Sequence, residues 1–445
     1  MSARYPPRAP RVNERWSIAI ADVVLLPALR TPFFQPLSDP PLRSLLVGGS
    51  ISAYGDALQT AALAWTVVAM THSPRGVGWF ALAWLLPRAG ASLVSGVVDD
   101  RYRRSTVLKL SVAATGLISL LLFACAASGV LSFGVLIVLS LSLSIAMPFE
   151  VGARNTLFSS IVPREQLAPV ITLSFVLMYC AELLGLLTGG LIIGSFGIAG
   201  CIAVNLVTYA VYAVLLRSLR SEPIVASEPS FGSAFIVGAR FVGTRRNALI
   251  PLCISALFAL LGFHFDRTLL PLYAIEELHS AARTYGVMLA APALGAVLGL
   301  SFTRGIAPER LRSRLFLTML LLAACLALLA LCTSQPLALL LFFAIGAARG
   351  IHYSTIATML QLKVPEALRG RIFSFYTVAT GIFGLGGAML TWIAPLLGAR
   401  LDWHLGFVPD LHGLRAAMLC AAVAVVVGAV ACVRPLRRIG PSGVD

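Results

Sequence analysis

Ten ionisable side chains interrupt stretches of this sequence that are otherwise apolar: Asp56, Arg88, Glu150, Arg154, Glu182, His264, Asp266, Arg267, Arg349 and His352. A charge at the centre of a bilayer costs about 2.5–3.5 kcal/mol on the insertion scale, so such groups persist where they pair or function. Carboxylates in apolar surroundings can take up and release protons, and Asp56, Glu182, Asp266 and Glu150 are the candidates for that role. Asp56 has no basic neighbour in its own apolar stretch, and Glu182 is flanked by Cys180, Ala181 and Leu183. Asp56 is equally placed to pair with Arg88 or Arg349. Glu150 and Arg154 stand four residues apart, so an ion pair on one helical face is open to them. Asp266 and Arg267 are adjacent and point in different directions, which gives them different partners. Arg88, Phe149, His264, Arg267, Arg349, His352 and Tyr353 are the candidates for the wall of a substrate cavity, although aromatic residues at such spacings serve packing equally well.

The elements that must position these groups follow from composition. The chain has 445 residues, of which 58% are hydrophobic and 12% charged, with a mean hydropathy of +0.89. Soluble domains average about 45–50% apolar and about 25% charged residues, so a water-soluble fold, intrinsic disorder and a disulfide-stapled scaffold are all excluded. A formal charge of +15 would suggest nucleic acid in a soluble protein. Here the cations concentrate in loops and tails, and no nucleic-acid partner is expected. The eight cysteines include no CxxC pair and read as small hydrophobes, with no metal or cofactor implied. The first forty residues lack a cleavage pattern and read as a cytoplasmic tail with a short interfacial apolar stretch at residues 18–29.

Crossing ~30 Å of hydrocarbon takes about 20 apolar residues. Windows of that length predict spans near 44–70, 76–98, 107–129, 131–157, 167–194 and 197–217, then 248–274, 284–304, 314–333, 336–360, 372–398 and 413–433. The expected fold is an all-α membrane protein of twelve transmembrane helices. Its parts are a cytoplasmic tail (1–43), a six-helix bundle (44–217), a cytoplasmic linker (218–247), a second six-helix bundle (248–433) and a cytoplasmic tail (434–445). With both termini inside, thirteen Lys or Arg fall in inner loops, Arg101, Arg103 and Arg104 among them, whereas the outer loops hold only Arg75, Arg283 and Arg400. That asymmetry sets the orientation in the cell (inner) membrane. Gly55-Asp56 in span 1 echoes Phe265-Asp266 in span 7, and Ile161-Val162-Pro163 echoes Lys363-Val364-Pro365, each pair a little over 200 residues apart. Such internal repeats place a substrate site near the midplane, between two pseudo-symmetric bundles. The ten interior ionisable groups fall on spans 1, 2, 4, 5, 7 and 10, so spans 3, 6, 9 and 12 are expected to face lipid. Glycines at four-residue spacing, Gly185, Gly189, Gly190 and Gly194 on span 5 and Gly295 and Gly299 on span 8, allow close helix contact.

The segment Gly96-Val97-Val98-Asp99-Asp100-Arg101-Tyr102-Arg103-Arg104, between spans 2 and 3, resembles the GxxxDRxxR signature of the major facilitator superfamily of secondary transporters. The resemblance implies a cytoplasmic latch made by Gly96, Asp100, Arg101 and Arg104, with Asp100 pairing near the end of span 11 or with Arg154 on span 4. Ser52-Ala53-Tyr54-Gly55-Asp56, Leu86-Pro87-Arg88 and the run from Arg349 through Gln361 to Ser374 resemble the drug and siderophore exporters of that superfamily, typified by enterobactin and macrolide efflux proteins. One departure stands out. Where antiporters often carry GPxxGG on span 5, this chain has Gly185-Leu186-Leu187-Thr188-Gly189-Gly190, and Leu186 in place of Pro leaves the helix less kinked.

These features lead to a monomeric, proton-coupled exporter of a bulky amphipathic small molecule (a drug, siderophore or secondary metabolite), working by alternating access in the lipid bilayer. An importer or facilitator of a small metabolite fits the same fold, and a non-transporting membrane sensor or assembly factor is the rival of another class. No enzyme is expected, since the chain has no HExxH, nucleophile elbow or nucleotide loop. Asp402 and His404 with Asp410 and His412 read as a solvated outer loop rather than a metal site.

Overall fold

The computed structural model describes residues 32–219, 240, 242–263, 268–301, 310–364, 372, 375–376, 379–380, 383–398 and 413–437. His264, Asp266, Arg267, the linker beyond Leu219 as far as residue 239, and the outer-loop residues Asp402, His404, Asp410 and His412 lie outside them. Where no water reaches, each backbone N–H and C=O must be satisfied within its own segment, which selects helices. The chain answers with α1 (Pro40–Thr71), α2 (Pro74–Arg101), α3 (Arg104–Ala127) and α4 (Phe133–Ile161). A run over Arg164–Leu216 then holds α5 (164–196) and α6 (198–216). The second set is α7 (Arg246–Phe258), α8 (Ala282–Ser301), α9 (Leu311–Leu331), α10 (Gln335–Lys363), α11 (Phe383–Gly398) and α12 (Gly413–Arg437).

Local chemistry places the ends. Pro40 and Pro74 open α1 and α2, where a missing N–H costs nothing. The Ser132 hydroxyl accepts from the Val135 N–H at 3.4 Å and caps α4. Val162 and Val364, each followed by proline, are extended and end α4 and α10. Hydroxyls inside the spans fold back on their own helix: Thr66 donates to the Ala62 carbonyl at 2.7 Å and Ser111 to that of Val107 at 2.8 Å. The turn between α5 and α6 is a single residue. Gly197, at φ 65° and ψ −167°, reverses the chain in a conformation that L side chains rarely adopt.

Among the described residues, seven helical stretches are long and apolar enough to cross a membrane, and one of them, Pro169–Leu216, carries α5 and α6 together. α1 and α2 are long but diluted by Asp56, Gln59, Arg88, Asp99 and Asp100. The seventh span departs from the expected single helix. After Phe258 it widens into a π-helical turn, Ala259–Phe263, and a second such turn, Tyr273–Glu277, follows. Turns of this kind often mark functional sites inside membrane and soluble helices alike.

Helices α1–α6 pack among themselves, with α1 lying along α5 and α6 and α4 against α2 and α3, while α8, α9, α10, α11 and α12 form the second group. The two groups meet through α5 on α8 and α2 on α11. One close approach is Gly190 against Gly286, where a Cβ on Gly190 would sit 2.7 Å from the Gly286 Cα. Further contacts between the groups gather at the same end, the one with the α1–α2 turn. Tyr285 donates to the Ala61 carbonyl at 3.3 Å, Trp65 meets the Tyr285 ring at 4.9 Å, and His72 reaches Glu276 at 3.1 Å. Toward the opposite end a separate apolar cluster, including Leu45, Leu108, Phe158 and Tyr212, draws on the first group alone. The halves are therefore joined firmly at one end.

Gly190→Val should lower stability by about 1–3 kcal/mol, the usual cost of overpacking, whereas Gly189→Ala, whose Cβ would stand at an ordinary 3.5 Å from Leu58, should change it little. Thermal unfolding of the two purified variants in detergent checks the contrast; equal melting temperatures would contradict it.

Candidate functional site

Three ionisable side chains of the first group of helices, Asp56, Glu150 and Arg154, converge between α1, α4 and α6. The Asp56 carboxylate on α1 accepts from the Tyr209 hydroxyl at 2.5 Å and from the Asn205 amide at 3.5 Å, both on α6. The same Asn205 amide nitrogen donates to Gln59 at 2.9 Å, and Thr208 donates to the Asn205 carbonyl oxygen at 2.8 Å, which fixes that amide's orientation. On α4, Arg154 donates to Glu150 at 3.1 Å, and these two side chains are only 3% and 5% exposed. The guanidinium lies against Gly49 of α1 and faces Tyr212 of α6. Asp56, Glu150, Arg154 and Arg88 are within electrostatic reach of one another. Two carboxylates thus share the field of two guanidinium groups, and one carboxylate, Asp56, is held directly by neutral donors.

The i,i+4 spacing of Glu150 and Arg154 is realised as the expected ion pair. Arg154 points toward Glu150, Tyr212 and Gly49, while at the α2–α3 turn Arg104 of α3 donates to the Thr156 carbonyl of α4 at 3.3 Å and Arg101 is exposed; the contacts of Gly96 and of the Asp100 side chain lie outside the described residues. Span 6 carries no charge and exposes Val207, Val211 and Val214 on its outer face, as expected of a lipid-facing helix, while its Asn205, Thr208, Tyr209 and Tyr212 face inward and complete the network. Sequence reasoning passed over them because they are neutral. Their recurrence at 205, 208, 209 and 212 is the i, i+3, i+4, i+7 stripe of one helix face, a signal that was present.

The remaining candidates separate. Arg88, half-buried on α2, reaches the Met147 sulfur at 3.9 Å. Phe149 packs against the apolar cluster of the first group, and Glu182 is half-buried on α5. In the second group Arg349 donates to the Pro292 carbonyl of α8 at 3.5 Å. His352 is fully buried between helices, stacked on Phe258 at 3.7 Å with its Nδ1 3.5 Å from the Thr318 hydroxyl, so it packs inside the bundle rather than lining a cavity. Its neighbour Tyr353 stands edge-on to Tyr376 at 6.0 Å, and the Tyr376 hydroxyl donates to the Tyr353 carbonyl at 3.0 Å. Tyr376 in turn lies within electrostatic reach of Tyr179 on α5, which stacks with Phe175 at 6.2 Å. Aromatic residues of the two groups therefore come near one another at Tyr179 and Tyr376. A buried ion pair between Arg415 of α12 and Glu277 ties the start of α12 to the end of the seventh span.

Comparison with known proteins agrees with this architecture. A family model described as "Transmembrane secretion effector" matches residues 31–439. The chain is 24% identical to the uncharacterized MFS-type transporter YfiS of Bacillus subtilis (strain 168) over 378 residues, which is 79% of this chain and 87% of that one. Its fold is similar to a bacterial homologue of the human lysosomal transporter Spinster in an inward-facing, unoccupied conformation (TM-score 0.70, 15% identity, 89% of this chain and 96% of that chain). It is also similar to the nucleoside transporter NupG (TM-score 0.66, 13% identity, 88% and 98%) and to a bacterial homologue of the iron transporter ferroportin in an inward-facing state (0.65, 17%, 89% and 98%). With two groups of helices joined along α2–α11 and α5–α8 and the match running over nearly its whole length, the chain belongs to the transmembrane secretion effector family, multi-pass membrane transporters of the major facilitator type.

Proposed function

We propose that this transporter is a proton-coupled exporter of bulky amphipathic compounds, with both termini in the cytoplasm of a cell whose inner membrane it spans. The observation that carries the coupling is the setting of Asp56, a carboxylate on α1 held by the neutral Tyr209 and Asn205 while Arg154 is committed to Glu150. A proton added to Asp56 removes one negative charge from a network of two carboxylates and two guanidinium groups, in surroundings where charges are weakly screened. The change falls on the contacts among α1, α4 and α6, so occupancy by a proton biases how these helices sit. Alternating access needs such a two-state bias.

The direction of transport is supported by the family's description as a secretion effector and by the resemblance of the motifs around Asp56, Arg88 and Arg349 to exporters. With the termini inside, the end that carries the α1–α2 turn is the outer end, and the firm contacts there correspond to a state closed to the outside, with bundles 44–217 and 248–433 rocking about the cargo. The aromatic rings of Phe175, Tyr179, Tyr353 and Tyr376 suit a cargo with flat apolar faces.

Asp56→Asn keeps an acceptor for Tyr209 and Asn205, so it should fold normally yet lose efflux of an amphipathic dye such as ethidium driven by a pH gradient in everted vesicles; unchanged efflux would remove Asp56 from the mechanism. The Glu150–Arg154 pair makes a separate prediction. Arg154→Met should cost about 3–5 kcal/mol because it leaves Glu150 buried and uncompensated, and the double variant Glu150→Leu with Arg154→Met should recover most of that. Chemical denaturation in detergent measures both, and a double variant no more stable than the single one would contradict the pairing.

A further inference from the structure

A cavity of about 290 Å³ opens on the flank of the molecule between α2 and α11, lined by Leu82, Leu385, Ala388, Met389, Trp392 and Ile393. Its lining is wholly apolar, and the surrounding medium at that depth is hydrocarbon. Trp79 and Trp392 meet edge-on above it, 5.1 Å apart, at the end nearest the α1–α2 turn. Both rings are about half exposed. Tryptophan with one apolar and one wet side marks the level of the headgroups. On α2, Arg75, Trp79, Leu82 and Leu86 follow at i, i+4, i+7 and i+11, a single helix face that runs from an exposed cation at the helix start down into the groove.

We infer that this groove is a binding site for one membrane phospholipid, its acyl chain seated along Leu82, Leu385 and Met389 and its anionic phosphate held by Arg75. Charge complementarity names the occupant. A transmembrane helix of a partner protein would fill the apolar part but leave Arg75 with no counter-charge, whereas a phospholipid supplies both an apolar chain and an anionic phosphate. The groove is also continuous with the contact between the two groups of helices, since Trp392 belongs to both. A chain lodged there touches α2 and α11 together and is lost when they part. The lipid therefore favours the state in which this end is closed, because a ligand shifts a population by its differential affinity for the two states. The site asks nothing of Asp56 or of the cargo.

Native mass spectrometry on the purified full-length chain, delipidated and titrated with phosphatidylglycerol or phosphatidylcholine, tests the site. The wild type should retain one phospholipid per chain, with phosphatidylglycerol favoured. Met389→Trp and Leu385→Phe, which fill the groove from exposed lipid-facing positions, should each weaken retention of both lipids by about tenfold. Val423→Trp, at an exposed position on α12 away from the groove, should not. Arg75→Gln should erase the preference for phosphatidylglycerol while phosphatidylcholine binds as before. Undiminished retention in either folded filling variant, or an unchanged headgroup preference in Arg75→Gln, overturns the inference. Because the assay reads lipid alone, it stands or falls apart from dye efflux in Asp56→Asn.

Discussion

The constraint on which this molecule depends is the absence of water from the middle of a bilayer. A charge there has no solvent to offset it, so the protein must supply every partner itself. In the first bundle the solution is a compact network in which Arg154 neutralises Glu150 and sits against Gly49, while Asp56 is held by Tyr209 and Asn205. A pair such as Glu150 and Arg154 contributes little net stability over apolar residues of the same shape, yet breaking it is expensive. It therefore acts less as glue than as a condition on how α1, α4 and α6 are arranged. The second bundle has a shorter version of the same solution in Glu277 and Arg415.

The same medium explains how the halves are joined. Between helices in lipid there is little hydrophobic driving force, and contact depends on close packing. Gly190 against Gly286 brings α5 and α8 into backbone contact, and α2 meets α11 through the rings of Trp79 and Trp392. These seams lie toward the end that bears the α1–α2 turn. Toward the other end the apolar cluster of Leu45, Leu108 and Phe158 closes the first bundle on itself.

Much of this was legible in the sequence, and the limits are physical. Apolar window length predicted the spans, and the structure finds α3 and α4 separate although barely five residues divide them. The i,i+4 spacing of Glu150 and Arg154 predicted their pair because the helix itself brings them together. Partners from different helices were out of reach: nothing in the spacing of Asp56 points to Tyr209, more than 150 residues away. Counting charges alone assigned span 6 to the lipid and missed its inner face, since hydroxyl and amide groups carry no formal charge, although they are the groups that hold Asp56. Nor did composition reveal that His352 would stack on Phe258 in the interior, because burial depends on which helix lies opposite. The break in the seventh span after Phe258 is likewise a property of packing rather than of hydropathy.

What unites these features is the claim that Asp56 exchanges a proton while its neighbours hold it in place. Infrared difference spectroscopy on the protein in lipid reads this directly, through the C=O stretch of a protonated carboxyl group as the bulk pH is stepped across the physiological range. The account predicts a carboxyl band that responds to pH in the wild type, shifts in frequency in Tyr209→Phe and is missing in Asp56→Asn. A pH-dependent band that persists unaltered in Asp56→Asn, or no such band in the wild type, would contradict it.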